Sequence, residues 1–164
     1  MKISPRSAKI FVTIIITIAL DQVSKVLVRS CVETGSSSPI IGSYFQLMNV
    51  EYVGAFLGMG SELNDTLRII LLLVLPVVVL GLVLRYILKD KKLDKWSLFA
   101  FSIIIGGGIA NVFDRIAFGS VTDFLYIKLT DLLRTGIFNI ADLAVTTGMI
   151  ILIIGSFRKK KTSP

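Results

Sequence analysis

The amino-acid sequence predicts an all-α membrane protein: four transmembrane helices carrying a small extracytoplasmic β-cradle. Three observations support this prediction. The 164 residues are 54% hydrophobic, with a mean hydropathy of +0.81, far above an ordinary soluble domain. The apolar residues gather in four runs, each able to span a hydrocarbon core of roughly 30 Å with its flanks snorkelling. The basic residues gather at the ends of those runs: Lys2, Arg6 and Lys9, then Arg85, Lys89, Lys91, Lys92 and Lys95, then Arg158 to Lys161. These clusters share one side only if there are four crossings, and the positive-inside rule makes that side cytoplasmic. One membrane domain over residues 1–164 is expected, with spans at about 8–28, 67–88, 96–114 and 139–157 and extracytoplasmic segments at about 30–65 and 115–137.

The first run, Ile10 to Leu20, follows basic residues as a secretory leader would. No small-residue cleavage site follows, so a retained helix is expected. Asp21 and Lys25 lie four apart, on one helix face that should point into the protein. Gly35 to Pro39 signals a loop. Ile40 to Phe56, rich in β-branched and aromatic residues, predicts two to four short strands resting on the helix ends. Gly54 to Gly60 reads equally well as a tight apolar turn or as a flexible flap. In the second span Pro76 predicts a kink. In the third, Gly106-Gly107-Gly108 predicts close helix packing. A phosphate loop is excluded there because no Lys-Ser/Thr follows.

Polar residues concentrate between Asn111 and Asp142, at the mouth of the third and fourth spans. Such groups in a membrane mark a functional site by default. The chain has no His and one cysteine, Cys31. This excludes His-based catalysis, an internal disulfide and the usual zinc frameworks, and no metal or cofactor is expected. The net charge of +7 sits between apolar runs, where it meets anionic membrane lipids rather than nucleic acid. Two carboxylates converging on one water remain as a source of hydrolytic chemistry: one ionised to take a proton, one protonated to donate. Asp123 and Asp142 form the best pair, because Asp114 has Arg115 beside it and Asp21 has Lys25. The simpler alternative for Asn139 and Asp142 is a helix capping box, which their three-residue spacing permits.

Together these blocks resemble the bacterial lipoprotein signal peptidases, signal peptidase II. They are Asp21-Gln22-x-x-Lys25, Asn111-x-x-Asp114-Arg115, Val121-x-Asp123-Phe124 and Phe138-Asn139-x-Ala141-Asp142. The resemblance covers nearly the whole chain. It implies an aspartyl endopeptidase of the bacterial inner membrane that cuts prolipoproteins before a diacylglyceryl-modified Cys, working as a monomer. It makes Asp123 and Asp142 the catalytic pair and Asn111, Arg115 and Asn139 positioning groups, with Asp21 and Lys25 in support. It also implies a mobile flap. One block departs: Gly54 matches the family's Asn-x-Gly-Ala motif, but Tyr52 stands where Asn is usual, with Asn49 nearby. The runner-up reading is therefore a divergent paralogue that binds lipidated or signal-peptide segments with altered or little cleavage. A small proton or ion conductor is the third, opposed by the gathering of ionisable groups at one end.

Overall fold

The computed structural model describes residues 4–54 and 64–160. Helix α1 spans Pro5–Cys31; strands β1 (Ser37–Ile41) and β2 (Phe45–Tyr52) follow. Next comes one continuous helical rod, made of α2 (Asp65–Ile69), a π-helical turn (Ile70–Val74) and α3 (Leu75–Lys89). Helix α4 (Lys95–Phe118), strand β3 (Val121–Ile127) and helix α5 (Ile140–Lys160) complete the chain. Among the described residues, four helices are long and apolar enough to cross a membrane, and this is a multi-pass membrane protein.

The expected helices are present; the first three run longer at both ends, and the fourth, Ile140–Lys160, is longer only at its C-terminal end. The third runs one turn beyond Arg115, because Ile116 to Phe118 are helix-compatible and apolar; it stops at Gly119, whose φ of 75° is left-handed and suits a residue without a Cβ. Pro76 lacks an N–H, and its ring would crowd the carbonyl of Leu72. The π-helical turn lies across that carbonyl and takes up the misfit.

Helix α4 is the one against which α1, α3 and α5 all pack. Its three consecutive glycines explain how. Successive helix residues turn by about 100°, so three neighbours face three directions. A Cβ would lie 2.7 Å from Thr17 Cβ of α1 at Gly106, 2.5 Å from the Ala141 carbonyl oxygen of α5 at Gly107, and 2.7 Å from Leu80 of α3 at Gly108. Bare backbone at each position lets all three helices approach closely. Near the α1 N-terminus the core is apolar, built on Ile10, Ile14, Ile87 and Ile105. At the opposite end it is polar.

That polar end carries an antiparallel three-stranded sheet, ordered β1-β2-β3. Two strands come from the predicted cradle segment. The third, β3, comes from the second extramembrane segment, where no strand was expected. It pairs Val50 with Asp123 and Tyr52 with Val121. The sheet rests on the helix ends as expected: Asn49 Nδ2 donates to the Val32 carbonyl at 2.8 Å, and Arg115 Nη2 to the Gly54 carbonyl at 3.3 Å. The expected flap, Gly54 to Gly60, lies beyond Gly54 outside the described residues.

Candidate active site

The site is assembled from four elements. Helix α1 brings Asp21, Gln22, Lys25 and Arg29 on its inner side. Helix α4 brings Asn111, Asp114 and Arg115; β3 brings Asp123; the start of α5 brings Asn139 and Asp142. Asn139 and Asp142 do form a capping box: Asp142 N–H donates to Asn139 Oδ1 at 2.9 Å, and Asn139 N–H donates to Asp142 Oδ2 at 3.3 Å. The box leaves the Asn139 amide nitrogen free to reach sideways. It donates to Asp123 Oδ1 at 2.6 Å, with longer contacts to Asn111 Oδ1 (3.2 Å) and the Thr122 carbonyl (3.4 Å). One fully buried residue therefore holds both carboxylates, Asp142 through its backbone and Asp123 through its side chain. Asn111 Nδ2 donates to the other oxygen of Asp142 at 2.9 Å.

Beneath this pair lies a buried ionic layer. Lys25 and Asp21 are fully enclosed, as is Asp114. The Lys25 ammonium has three hydrogens and three partners: Asn111 Oδ1 at 2.8 Å, Asp21 Oδ2 at 2.7 Å and Asp114 Oδ2 at 2.6 Å. Asp21 Oδ1 accepts from the Ala141 N–H at 2.8 Å, tying α1 to the first turn of α5. The layer thus orients Asn111, which in turn orients Asp142. A lysine here is tolerable because two carboxylates pair with its charge, since an unpaired buried charge costs several kcal/mol.

The predicted Asp114–Arg115 pair is not found. Adjacent helix residues diverge by about 100° and cannot face one another. Asp114 turns to Lys25, Gln22 Nε2 (3.0 Å) and Arg29 Nη2 (3.5 Å). Arg115 turns the other way, donating to the Asn111 and Gly54 carbonyls, with its buried Nε left without a hydrogen-bond partner. Gly54 itself is buried and contributes its carbonyl. Asn49 does not reach the carboxylates: it is 2% exposed and spends its amide on Val32. Tyr52 is half-buried at the end of β2, opposite Val121.

Sequence reasoning missed Arg29, Thr122 and Glu51. Arg29 Nε donates to Thr122 Oγ1 at 2.6 Å, Thr122 Oγ1 donates to Glu51 Oε1 at 2.6 Å, and the Arg29 guanidinium stacks 4.0 Å from the Phe118 ring centroid. This string clamps β3, and so Asp123, onto α1. A signal existed for Arg29, which continues the Asp21–Lys25 face by four more residues. None existed for Glu51, whose role depends on strand register.

Asp123 is 6% exposed, and its carboxyl is pushed up to about 7. Loss of water is the main cause and the nearby Asp142 charge the second; the Asn139 hydrogen bond and the Lys25 and Arg115 charges oppose them. A carboxyl poised near neutrality beside another carboxylate is the environment that general acid–base chemistry requires. Among the described residues no group of three or more His, Cys, Asp or Glu side chains could hold a metal ion.

The family model for signal peptidase (SPase) II matches residues 13–158. The chain belongs to the signal peptidase II family. Its relatives include the lipoprotein signal peptidase of Gloeobacter violaceus, 36% identical over 92% of this chain and 82% of that protein. That of Moorella thermoacetica is 36% identical over 84% and 85%, and that of Brevibacillus brevis 37% identical over 87% and 90%. In fold it matches a bacterial membrane enzyme solved by the in meso method at 2.3 Å resolution. The TM-score is 0.84 over 96% of this chain and 92% of that one, at 23% identity. Family membership makes this chain a peptidase. In this chain Asp21, Lys25, Asp114, Asp123 and Asp142 lie together at the sheet end of the bundle, rather than spread through its depth as a conduction relay would need.

Proposed function

We propose that this chain is an aspartyl endopeptidase of the bacterial inner membrane. It removes the signal peptide from lipid-modified prolipoproteins, cutting before the diacylglyceryl-Cys, with Asp123 and Asp142 as catalytic residues. The observation that carries this reading is the shared grip of Asn139 on both carboxylates. Asp142, ionised, takes a proton from the attacking water while Asp123, protonated near neutral pH, donates its proton to the carbonyl oxygen. As the gem-diol collapses, Asp123 recovers a proton from a diol hydroxyl and Asp142 passes the water's proton to the leaving amine, so both regain their starting states. Neither a covalent intermediate nor a metal is needed for this cycle. Asn111 and Asn139 hold the carboxylates, and Lys25, paired with Asp21, holds Asn111. Arg115 presents the cradle edge through Gly54.

Two features fit an apolar, lipidated substrate. A cavity of about 390 Å³ opens beside Asp142, its walls including Ile127, Ile137, Phe138 and Leu143. Among the described residues no other charged side chain lines it. The carboxylates also lie at the end of the helices opposite the basic α3–α4 turn. By the positive-inside rule that turn and both termini are cytoplasmic, so the site opens at the outer leaflet. Purified protein incubated with a diacylglyceryl prolipoprotein is expected to release a shortened lipoprotein. Binding without any shortened product would favour the non-cleaving paralogue, and an unlipidated precursor cut equally well would remove the lipid from the reading. Reporter fusions after Lys95 and after Lys128 should fall on opposite membrane faces; the same face for both would overturn the topology.

A further inference from the structure

Among the described residues, a cavity of about 530 Å³ lies far from the catalytic carboxylates, at the other end of the bundle between α1, α4 and the α3–α4 turn. Of the described residues, four cations line it, Arg6, Lys9, Lys91 and Lys95, and no carboxylate does. Of the nearby acids, Asp90 Oδ1 accepts from the Lys92 N–H, and Asp94 caps α4 through the Trp96 and Ser97 N–H groups. Arg6 is held in place by donating to the Asp90 carbonyl at 2.6 Å, which also pins the turn to α1. Below the cations the wall turns apolar, with Val12, Leu98 and Phe99.

At Thr13 and Phe99 this cavity meets a second, of about 330 Å³, which continues along α1 past Ile16 and Leu20 and along α5 past Leu143. From Lys9 to Leu20 the helix rises about 16 Å, comparable to most of one fatty acyl chain. We propose that this basic pocket and its apolar continuation form a binding site for one anionic diacyl glycerophospholipid. The phosphate sits among Lys9, Lys91, Lys95 and Arg6, and an acyl chain lies in the α1–α5 groove. The charge pattern selects this occupant. A zwitterionic lipid leaves four cations with one net-neutral headgroup, and a signal peptide brings its own basic residues to the same side and is repelled.

Trp96, the sole tryptophan of the chain, adjoins Lys95 and reports on the site. Full-length protein reconstituted in phosphatidylcholine vesicles is titrated with brominated phosphatidylglycerol or with brominated phosphatidylcholine, and quenching of Trp96 is read. Half-quenching is expected at a mole fraction of the anionic lipid roughly tenfold lower, and each single variant, Lys9→Gln, Lys91→Gln or Lys95→Gln, is expected to cut that preference to about twofold. The double variant Lys89→Gln/Lys92→Gln removes two charges from the same region outside the cavity and is expected to keep the preference. Equal quenching by the two lipids overturns the site. So does an equal loss in the control variant, which would reveal diffuse surface attraction. Relief of quenching by millimolar inorganic phosphate would mark a headgroup pocket without an acyl groove and overturn the lipid assignment. Because cleavage plays no part in the readout, the result stands apart from the peptidase reading.

Discussion

Replacing Asp123 with Asn is expected to stabilise the protein while it removes activity, and the stabilisation should grow with pH. In the fold this carboxyl is pushed up to about 7, against 3.8 for the ordinary side chain. The folded state therefore keeps its proton where the unfolded chain has already lost it. Because the folded value is the raised one, stability relative to a side chain that does not titrate is greatest below about pH 4. It falls as pH rises towards 7 and then levels off. A displacement of about 3 units corresponds to at most about 4 kcal/mol. Asn has the same shape, and its own Oδ1 can accept the Asn139 hydrogen bond, now 2.6 Å long. The variant therefore escapes the penalty without losing the contact. At about 2–4 °C per kcal/mol for a chain of this size, its melting temperature should exceed the parent's by up to about 8–16 °C above pH 8, shrinking to near zero at pH 4. Trp96 fluorescence on heating in detergent, at a series of pH values, measures the difference. A gap that is constant with pH, or a variant less stable throughout, would refute the burial argument.

The same titration predicts that cleavage declines as pH rises through about 7, when Asp123 gives up the proton it must donate; a rate that keeps climbing to pH 9 would contradict this. Gly107→Ala places a Cβ 2.5 Å from the Ala141 carbonyl oxygen and should cost about 1–3 kcal/mol, whereas Gly155→Ala, with nothing within 4 Å, should be neutral. Equal melting temperatures for the two would show that the α4–α5 contact is not as close as described. Lys25→Met strips Asp21 and Asp114 of their shared cation and should cost about 3–5 kcal/mol. An unchanged melting temperature would show that the layer is not charged as drawn. Peptidase activity should survive a chelator and Cys31→Ser, and loss to a chelator with rescue by a divalent ion would move the chemistry to a metal.

Much of this was legible in the residues because it is local. Apolar runs of membrane length, basic clusters between them, and Gly106 to Gly108 each carry their consequence in a few adjacent positions. Asp21 with Lys25 and Asn139 with Asp142 are four and three residues apart, within helix reach, and both pairs formed. What was not legible depends on partners far along the chain. Strand β3 becomes a strand by pairing with β2, from which two membrane helices separate it. Asp114 finds Lys25 across the α1–α4 interface. Its assignment to Arg115 was an error that helix geometry alone could have prevented, since neighbours in sequence point apart on a helix. The Arg29–Thr122–Glu51 string spans three elements, and only its first member leaves a trace in local spacing.

The central claim is that Asp123 and Asp142 act as one unit, and single-turnover cleavage of a diacylglyceryl prolipoprotein tests it most directly. Asp123→Asn and Asp142→Asn should each lower the rate by at least about a hundredfold in folded protein. The double variant should be little slower than either, because members of one catalytic unit are not additive. Asp114→Asn, which alters the Lys25 layer and not the pair, should weaken turnover without ending it. Near-normal cleavage by either single variant, or abolition by Asp114→Asn while Asp123→Asn still turns over, would contradict the account.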